Sequence, residues 1–591
     1  GTMLALTVNL LLLPGMITSL CLSWNPSARA LRSVGAFSTR QQKRGRGVFK
    51  ETTTLSATSA DNNCDYDVVI IGSGPASLSL AALLGASSST PPRVAVLSKN
   101  ADEQWIPNYG CWTEEWAKLD EIYATQGVPG LMTKGVDVSW PDTDCFFGEN
   151  SEEKVTSEPE GSFCRPLGRG YLRVSRSGLK SLLYSSEGER KYDVIKEDVL
   201  GAAIGTNIFA PSGSVSCLPD CTEVTLKDSN RKLRAKIIVD GTGAESPFTI
   251  RDDRSKEGYQ IAYGAECRVE GGGVTESRIG DYSRNKMTLF DYRSEAWRNA
   301  PGLDPQKVIK EPTFNYVMPL TKDIIFFEET SLVANPALSF QECKDRLTAR
   351  LAAQDVRIVE VVDEELCYIP MGGATPRKGQ RVVPIGAAAG LVHPSTGYQV
   401  ARALISNVDV CDQIVKELGS TGEGSSNRED FDPDLAAARV IGRTWTPAAV
   451  RQRNFAVFGG DFLMQQNVEG LKGFFSGFFK LDTPMWAGFL AGWKGLPNNG
   501  YHDDWLPRIW FGVTFLVKLP PKVAVAMVTE IVRYTLREGP DLMQSVTPFL
   551  GNPEPYDSWA REFKTAAKGD LDAKREAGVM LGKKPVVDKE S

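Results

Sequence analysis

Small residues at fixed spacing follow the first strongly apolar run of the chain. Gly72, Gly74 and Ser77 come directly after the apolar residues 68–71 and begin a helical pattern. A glycine at the first position permits a tight turn, and one at the second lets the backbone approach a pyrophosphate. The N–H groups at the start of the following helix can bind phosphate oxygens. The sequence therefore predicts a dinucleotide-binding turn formed by Gly72, Gly74, Pro75, Ala76 and Ser77.

The predicted turn departs from the usual motif in two ways. Ser77 replaces the third glycine, although it is small enough for close packing between helix and strand. A second apolar run, Val94–Leu97, ends in Ser98 and Lys99 instead of the acidic residue that usually holds the ribose hydroxyls. We interpret the nucleotide as FAD and not NAD, because the turn opens the body of the chain and later segments also resemble flavoprotein segments.

Two later segments support a flavin. Residues 235–243 predict a buried strand that ends in Asp-Gly-Thr-Gly, and in flavoproteins such a strand passes close to the dinucleotide. Residues 381–390 predict a further core strand that enters a small-residue turn, with backbone N–H groups for the flavin. An arginine-rich segment, 165–176, is either solvated or meets the flavin phosphates. The predicted contacts are Arg176, Asp240, Gly241, Gly243, Gly386, Gly390, Pro394 and Gly397.

The first sixty residues have the composition of targeting segments. Residues 1–23 carry no charged side chain, and their apolar core, interrupted at Pro14, favours a cleaved signal peptide. Residues 24–60 hold many Ser and Thr, seven Lys or Arg and one acid, which is typical of a transit peptide. The segment Gly35–Phe37 resembles the presequences of algae with secondary plastids. We predict delivery to such a plastid; a disordered tail is the alternative.

Charge and residue usage exclude several classes of function. Without residues 1–60 the chain keeps 60 Lys and Arg against 72 Asp and Glu, a net charge of −12, which argues against nucleic-acid binding. The chain has 11 cysteines in no CxxC pattern and only two histidines, so we expect no metal site. Past residue 432 the pattern is helical and rich in Phe and Trp. This pattern predicts either a membrane-contacting region or an aromatic helical core.

Several segments together resemble the plant-type lycopene cyclases, the β/ε-cyclase family. The resemblance covers residues 65–495, and it rests on Asn108–Trp112, Gly258–Gly264, Phe326–Val333, Ile369–Gly373, His393–Arg402 and Phe474–Leu490. It implies an enzyme that binds FAD in its reduced form, with NADPH as the electron source. It also implies lycopene as the substrate, whose linear ψ ends close to β-ionone rings by way of γ-carotene in a redox-neutral isomerisation at a plastid membrane.

The reaction implied by the resemblance needs a carboxyl that stays protonated in apolar surroundings. The segment Phe326-Phe327-Glu328-Glu329 places two adjacent carboxyls at the expected substrate site. Neighbouring strand residues point to opposite faces, so only one of the two is expected to face the substrate. The resemblance assigns the essential role to Glu328, with Glu329 supporting it. Asp291 is a candidate base or a structural partner of Arg293. His393 is a candidate proton relay or a structural residue of its turn.

Other functions remain open at the level of the sequence. An ε-cyclase differs only in which proton leaves the ring cation. An FAD monooxygenase such as a carotenoid epoxidase shares the nucleotide motifs, but it consumes oxygen and has no need of the Phe-Phe-Glu-Glu-Thr segment. A prenyl-group chaperone would bind a lipid without holding flavin.

The predicted fold is α/β. A Rossmann-type, glutathione-reductase-like FAD domain, assembled from separated segments, occupies residues 61–420. A β-rich substrate domain is inserted at about 259–375, and residues 421–591 form the aromatic-rich helical, membrane-contacting region. Signal-like and transit-like segments at 1–23 and 24–60 precede them.

Overall fold

The computed structural model describes residues 64–558 apart from 88–89, 148–163, 186–190, 202–213, 252–256 and 420–430. The predicted targeting segments, residues 1–23 and 24–60, lie outside the described residues. The predicted boundary at residues 420 and 421 also falls outside them.

The strands within the described residues, in chain order, are β1 (Tyr66–Ile71), β2 (Val94–Leu97), β3 (Gly110–Trp112), β4 (Val136–Trp140), β5 (Thr143–Phe146), β6 (Arg165–Pro166), β7 (Tyr171–Val174), β8 (Asp193–Ile195), β9 (Val215–Cys217), β10 (Thr222–Thr225), β11 (Lys232–Asp240), β12 (Glu257–Glu270), β13 (Arg278–Ile279), β14 (Tyr282–Ser283), β15 (Met287–Asp291), β16 (Thr313–Pro319), β17 (Ile324–Ser331), β18 (Arg357–Gly372) and β19 (Val382–Pro384).

The α-helices within the same residues are α1 (Pro75–Ala86), α2 (Thr113–Thr125), α3 (Leu131–Lys134), α4 (Arg176–Tyr184), α5 (Pro305–Lys310), α6 (Phe340–Ala353), α7 (Val400–Gly419), α8 (Pro433–Thr444), α9 (Pro447–Met464), α10 (Val468–Phe478), α11 (Thr483–Ala491), α12 (Trp505–Lys518), α13 (Pro521–Glu538) and α14 (Asp541–Val546).

A parallel sheet carries the predicted nucleotide turn. Its parallel strands run in the order β8-β2-β1-β11-β19, and the β9–β10 hairpin joins β11 in antiparallel fashion. The apolar residues of β1 and β2 are buried on both faces, as parallel strands covered by helices require. Helices α1 and α7 pack together over this sheet. The predicted α/β fold and its core strands, gathered from separated segments, are confirmed.

A second, antiparallel sheet has the order β18-β12-β17-β16-β15-β5-β6, in which only β15 and β5 run parallel. Most of its strands come from the predicted substrate segment, residues 259–375. However, β5 and β6 come from residues 143–166, where β5 is fully buried. The β-rich layer is therefore assembled from two separate stretches of the chain.

The C-terminal helices cover one face of the antiparallel sheet. Aromatic side chains of α10 and α11, Phe475 and Trp486 among them, are buried in one core with Phe290 of β15 and Phe314 of β16. The aromatic-rich segment thus forms a helical core, which was one of its two interpretations. Within the described residues, no helix has both the length and the apolar character that crossing a bilayer requires.

Candidate active site

The glycine-rich turn leaves its backbone open for an anion. Gly72 adopts φ +100°, and a Cβ there would lie 2.8 Å from the carbonyl oxygen of Gly241, so only glycine fits. Gly74 is the N-cap of α1, where no side chain caps the helix and no acidic residue occupies the first turn. A Cβ on Gly74 would meet nothing within 4 Å. The free N–H groups of α1 therefore face open space suited to a pyrophosphate.

A groove of about 630 Å³ runs past this turn. Its walls come from residues 71–76 after β1, residues 241–243 after β11, and Gly386 with Ala387 after β19. The groove thus lies at the carboxyl ends of three parallel strands, the usual place for a ligand in such a sheet. An extended groove with glycine walls and a helix N-terminus fits a dinucleotide such as FAD.

Two of the predicted cofactor contacts lie behind the groove and shape it. The Asp240 carboxylate accepts hydrogen bonds from the backbone N–H and the hydroxyl of Thr242 at 3.0 and 2.7 Å, and it also binds Ser246 and Thr249. The hydroxyl of Ser77 donates to the Gly241 carbonyl at 3.4 Å. These contacts hold the turn after β11 against α1.

A second cavity, of about 140 Å³, adjoins the groove and shares Tyr109, Gln399 and Val400 with it. It lies over the antiparallel sheet. The remaining wall carries five aromatic side chains and one carboxyl, namely Tyr171, Phe290, Phe314, Tyr316, Tyr398 and Glu328. The arrangement places an acidic group inside an aromatic space next to the dinucleotide groove.

The acidic group in this cavity, Glu328, has no partner of opposite charge in the part of the chain that the structure describes. Among the described residues no hydrogen bond or salt bridge involves its side chain. Burial, together with the nearby carboxyl of Glu365 on β18, raises the pKa of Glu328 to about 8. A carboxyl in this state is protonated at neutral pH and can act as a general acid.

The sequence was compared with known proteins. The family model described as "Lycopene cyclase protein" matches residues 67–499, which is more than half of the chain. The chain belongs to this family. It is 33% identical over 434 residues to a chloroplastic neoxanthin synthase of Solanum lycopersicum, covering 73% of this chain and 75% of that protein. It is 30% identical over 435 residues to a chloroplastic lycopene beta cyclase of Arabidopsis thaliana, covering 73% and 75%.

Among solved structures, a geranylgeranyl bacteriochlorophyll reductase-like protein from Thermoplasma acidophilum aligns with a TM-score of 0.45 at 14% identity. The alignment covers 69% of this chain and 90% of that one. The lycopene cyclase family match ends at residue 499, before α12 begins.

In this lycopene cyclase family member, Glu329 faces away from the cavity. Its carboxylate is fully buried and accepts two hydrogen bonds of 2.9 Å from the guanidinium of Arg350, and a third from the hydroxyl of Thr313. A bidentate ion pair with an arginine fixes the orientation of a carboxylate. These contacts join β17 to β16 and α6, which indicates a structural role for Glu329.

Asp291 shares that buried network. It binds the guanidinium of Arg293 through two hydrogen bonds of 2.8 and 2.9 Å and accepts one from the hydroxyl of Tyr282. Burial alone would raise the pKa of Asp291, but Arg293 and Arg350 outweigh it and lower the pKa to about 2. Asp291 does not line the cavity, and its contacts match the structural role that the sequence left open.

His393 is buried and lines neither the groove nor the cavity. The backbone N–H of Ser395 donates to its Nδ1 at 3.3 Å, and its ring lies edge-on to Phe489. Burial and the positive charge of Arg402 lower the pKa of His393 well below its usual value. The ring is therefore neutral and shapes the turn after β19.

The remaining residues that were predicted to bind the cofactor lie in several different parts of the structure. Gly397 lines the aromatic cavity, whereas Gly390 and Pro394 line neither the groove nor that cavity. Arg176 donates to the Ile106 carbonyl at 2.6 Å and to the Asp363 carboxylate at 3.0 Å. The groove walls contain the other predicted contacts, namely Gly72, Gly74, Pro75, Ala76, Gly241, Gly243 and Gly386.

Sequence reasoning missed the acidic residue of the groove. Asp198, three residues beyond β8, lines the groove beside Ser98, and its carboxylate accepts a hydrogen bond of 3.0 Å from the backbone N–H of Lys99. Asp198 therefore lies near the end of β2, where this sequence has Ser98 and Lys99 in place of the usual acidic residue. No local pattern identifies Asp198, because it follows a different strand.

Proposed function

We propose that the groove binds FAD. The glycines after β1 and β11 and the N-terminus of α1 would hold the pyrophosphate, and the turn after β19 would meet the flavin. Asp198 is the proposed ligand of the ribose hydroxyls. When bound in its reduced form, FAD would supply negative charge beside the aromatic cavity, which stabilises a cation without a net transfer of electrons.

We propose that the protein is a lycopene β-cyclase, and that Glu328 is its general acid. A single observation carries this proposal: a carboxyl that has no counter-ion among the described residues lines an aromatic cavity that adjoins the dinucleotide groove. Protonating an alkene requires an acid that water and cations do not neutralise. Membership of the lycopene cyclase family supports a carotenoid substrate.

The proposed reaction balances without an oxidant. Glu328 donates its proton to the terminal double bond of a ψ end, and the carbocation closes to a six-membered ring by forming one carbon–carbon bond. The ring then loses one proton to a base, which restores the original proton count. Rings of Tyr171, Tyr316 and Tyr398 face the cavity and can stabilise the cation through their π faces.

Pigment analysis of lycopene-accumulating bacteria tests the proposal. Cells that express the chain should accumulate β-carotene, and the Glu328→Gln variant should leave lycopene unchanged. Glu329→Gln is the matched control, because it alters the adjacent carboxyl on the opposite face. Accumulation of δ- or ε-carotene would indicate an ε-cyclase. Unchanged lycopene with folded, flavin-bound protein would contradict cyclase activity and favour the monooxygenase, which oxygen uptake would reveal.

The reductant and the compartment are part of the proposal. We infer that NADPH supplies the electrons that reduce FAD, and that the protein acts in a plastid, in keeping with the chloroplastic relatives. The charge and composition of residues 1–60 support entry through a signal and transit presequence into a secondary plastid. Anaerobic reduction of the bound flavin by NADPH, followed by its absorbance, tests the electron source.

We further propose that α12 and α13 contact the membrane that holds the carotenoid. Each helix exposes one apolar stripe: Leu506, Trp510, Val513 and Val517 on α12, and Val525, Val528, Val532 and Leu536 on α13. Their spacing of three and four residues places each stripe on a single helix face. Val517 and Leu536 are 78% and 82% exposed, which costs free energy in water and gains it in a lipid interface.

Flotation with phosphatidylcholine and phosphatidylglycerol vesicles tests this contact. The double variant Val517→Ser with Leu536→Ser should bind about tenfold more weakly, since each side chain loses its transfer free energy. The double variant Val361→Ser with Leu366→Ser is the control, because these side chains are exposed on β18 instead. Equal binding by both double variants would contradict the proposed membrane face.

A further inference from the structure

A row of residues crosses the antiparallel sheet beneath the aromatic cavity. Tyr316 of β16 pairs with Glu328 of β17, which pairs with Gly264 of β12, which pairs with Glu365 of β18. Residues directly opposite each other in antiparallel strands project from the same face. Glu328 and Glu365 therefore share the face of the cavity, with only a glycine between them.

The absence of a side chain at Gly264 lets the two carboxyl groups approach. A Cβ at that position would lie 2.7 Å from Cγ of Glu365 and 3.0 Å from its Oε1. The side chain of Glu365 thus lies across Gly264, on the side of Glu328. Any residue larger than glycine would displace it.

Glu365 is buried, and one of its two carboxylate oxygens lacks an N–H or O–H donor among the described residues. Its Oε2 accepts a hydrogen bond of 2.6 Å from the backbone N–H of Asn108, which lines the cavity. Its Oε1 is buried and accepts no hydrogen bond from an N–H or O–H group of the described residues, while the thiol of Cys367 on the same strand is a hydrogen-bond partner of the carboxyl. A buried carboxylate oxygen that no N–H or O–H group satisfies is costly, so Glu365 places a poorly compensated negative charge on the face that carries Glu328.

We propose that Glu365 is the positioning partner of Glu328: its negative charge, on the same face of the sheet, keeps the proton on Glu328 until Glu328 delivers it, and Glu328 recovers a proton at the end of the reaction. The proposal rests on the proposed cyclase function. Before the reaction the pair holds one proton and one negative charge. After Glu328 has protonated the alkene, two carboxylates lie near the carbocation. They stabilise it electrostatically, and Glu328 accepts the proton that the ring loses.

Within the described residues, Glu365 forms no salt bridge. Arg173 donates to Oδ1 of Asn108 at 2.7 Å and binds Glu266, and Arg176 binds Asp363, so both guanidinium groups near Glu365 have other partners. Burial raises the pKa of Glu365 to about 7, against the lowering influence of the Asn108 N–H and the two arginines. Other titratable groups around the pair, among the described residues, are Tyr109, Tyr171, Tyr316, Tyr398 and Cys367.

The test compares pH profiles of the flavin-loaded protein. Activity requires protonated Glu328, so it falls as the pH rises through the pKa of that group. Glu365→Gln removes the negative neighbour and lowers this pKa, so the alkaline limb should move to lower pH by about one unit. Gln can still accept from the Asn108 N–H, so a merely structural role would leave the profile in place. Glu365→Asp keeps the charge and should shift the limb less.

Glu364→Gln is the matched control. Glu364 neighbours Glu365 on β18, but it is exposed and binds Tyr263 and Lys344 on the opposite face. Its removal should leave the profile unchanged. An unchanged alkaline limb in Glu365→Gln, or an equal shift in Glu364→Gln, would overturn the proposal.

Infrared difference spectra separate this proposal from the cyclase function itself. The protonated carboxyl stretch of Glu328 should disappear near pH 8 in the wild type, this transition should be absent in Glu328→Gln, and it should move to lower pH in Glu365→Gln. These bands need no substrate. If the spectra are as expected but no cyclised product forms, the carboxyl pair is supported and the proposed reaction is rejected. Identical midpoints in wild type and Glu365→Gln would reject the pair.

Discussion

Two neighbouring glutamates point to opposite faces of the antiparallel sheet and meet different surroundings there. Glu328 and Glu329 are adjacent on β17, yet one faces an aromatic cavity and the other an arginine network. On the arginine face, Asp291, Asn315, Glu329 and Tyr263 pair across four strands. Arg293 and Arg350 bind the carboxylates of Asp291 and Glu329 on that face. On the cavity face Arg173 and Arg176 bind Glu266 and Asp363, and among the described residues no cation pairs with Glu328, which leaves a carboxyl that can hold and release a proton.

The largest expected effect separates the two neighbouring glutamates. Glu328→Gln should reduce the cyclisation rate about 100-fold or more, since it removes the general acid. Glu329→Gln should leave the rate of folded enzyme within a few-fold while lowering the free energy of unfolding. Steady-state kinetics and urea unfolding of both variants check this contrast. A comparable rate loss in Glu329→Gln, at full flavin occupancy, would remove the distinction between the faces.

Removing one partner of an ion pair on the arginine face should strongly lower the free energy of unfolding. Arg350→Met leaves the Glu329 carboxylate buried without its counter-ion and should cost about 3–5 kcal/mol in the free energy of unfolding. The double variant Arg350→Met with Glu329→Gln should cost less than the sum of the two single variants, because neither charge is then left alone. Additive costs in this double-mutant cycle would show that the pair does not interact.

The two faces also predict opposite pH dependence of stability. The lowered pKa of Asp291 stabilises the fold above about pH 4, by about 2 kcal/mol, and this contribution disappears as the pH falls through about 2. The raised pKa of Glu328 stabilises the fold below about pH 4.5, and this contribution disappears as the pH rises through about 8.

Urea unfolding of wild type, Asp291→Asn and Glu328→Gln across this range measures both slopes. Asp291→Asn should flatten only the acidic side of the stability profile, and Glu328→Gln only the alkaline side. A slope that both variants change equally would contradict the separation of the two networks.

The smallest expected effect concerns the aromatic wall of the cavity. Tyr316→Phe keeps the ring over the cavity and should change the rate little. Tyr316→Leu removes the π face and should slow the reaction about tenfold, in line with a cation–π contribution of about 1–2 kcal/mol. Rates at saturating carotenoid, with flavin content as the control, distinguish the variants. Equal rates would assign Tyr316 to packing alone.

Local patterns predicted much of the fold. The apolar runs of β1 and β2, the glycines between them and the Asp-Gly-Thr-Gly end of β11 are short-range signals, and each appears at the predicted place. The alternation of strand residues also implied that only one of Glu328 and Glu329 would face the substrate. The sequence pattern could not show that Arg350, on α6, binds the other one.

The aromatic residues after 432 show the limit of such patterns. Phe475 and Trp486 have the composition of a membrane-contacting face, yet they pack against the antiparallel sheet. The exposed apolar stripes consist instead of Val, Leu and a single Trp on α12 and α13. Composition alone does not say which helix face meets a partner, because that depends on where distant segments fold.

The sequence by itself determined the glycine-rich turn, the strands that surround it and, through the family resemblance, the choice of Glu328 as the proposed general acid. Tertiary structure alone decided which groups surround that residue. Asp198 reaches the groove from the neighbourhood of another strand, and Glu365 reaches Glu328 across Gly264. Turn and strand signals arise from contacts between near neighbours in the chain. The pKa of a buried carboxyl depends on charges that lie close in space and are scattered along the sequence.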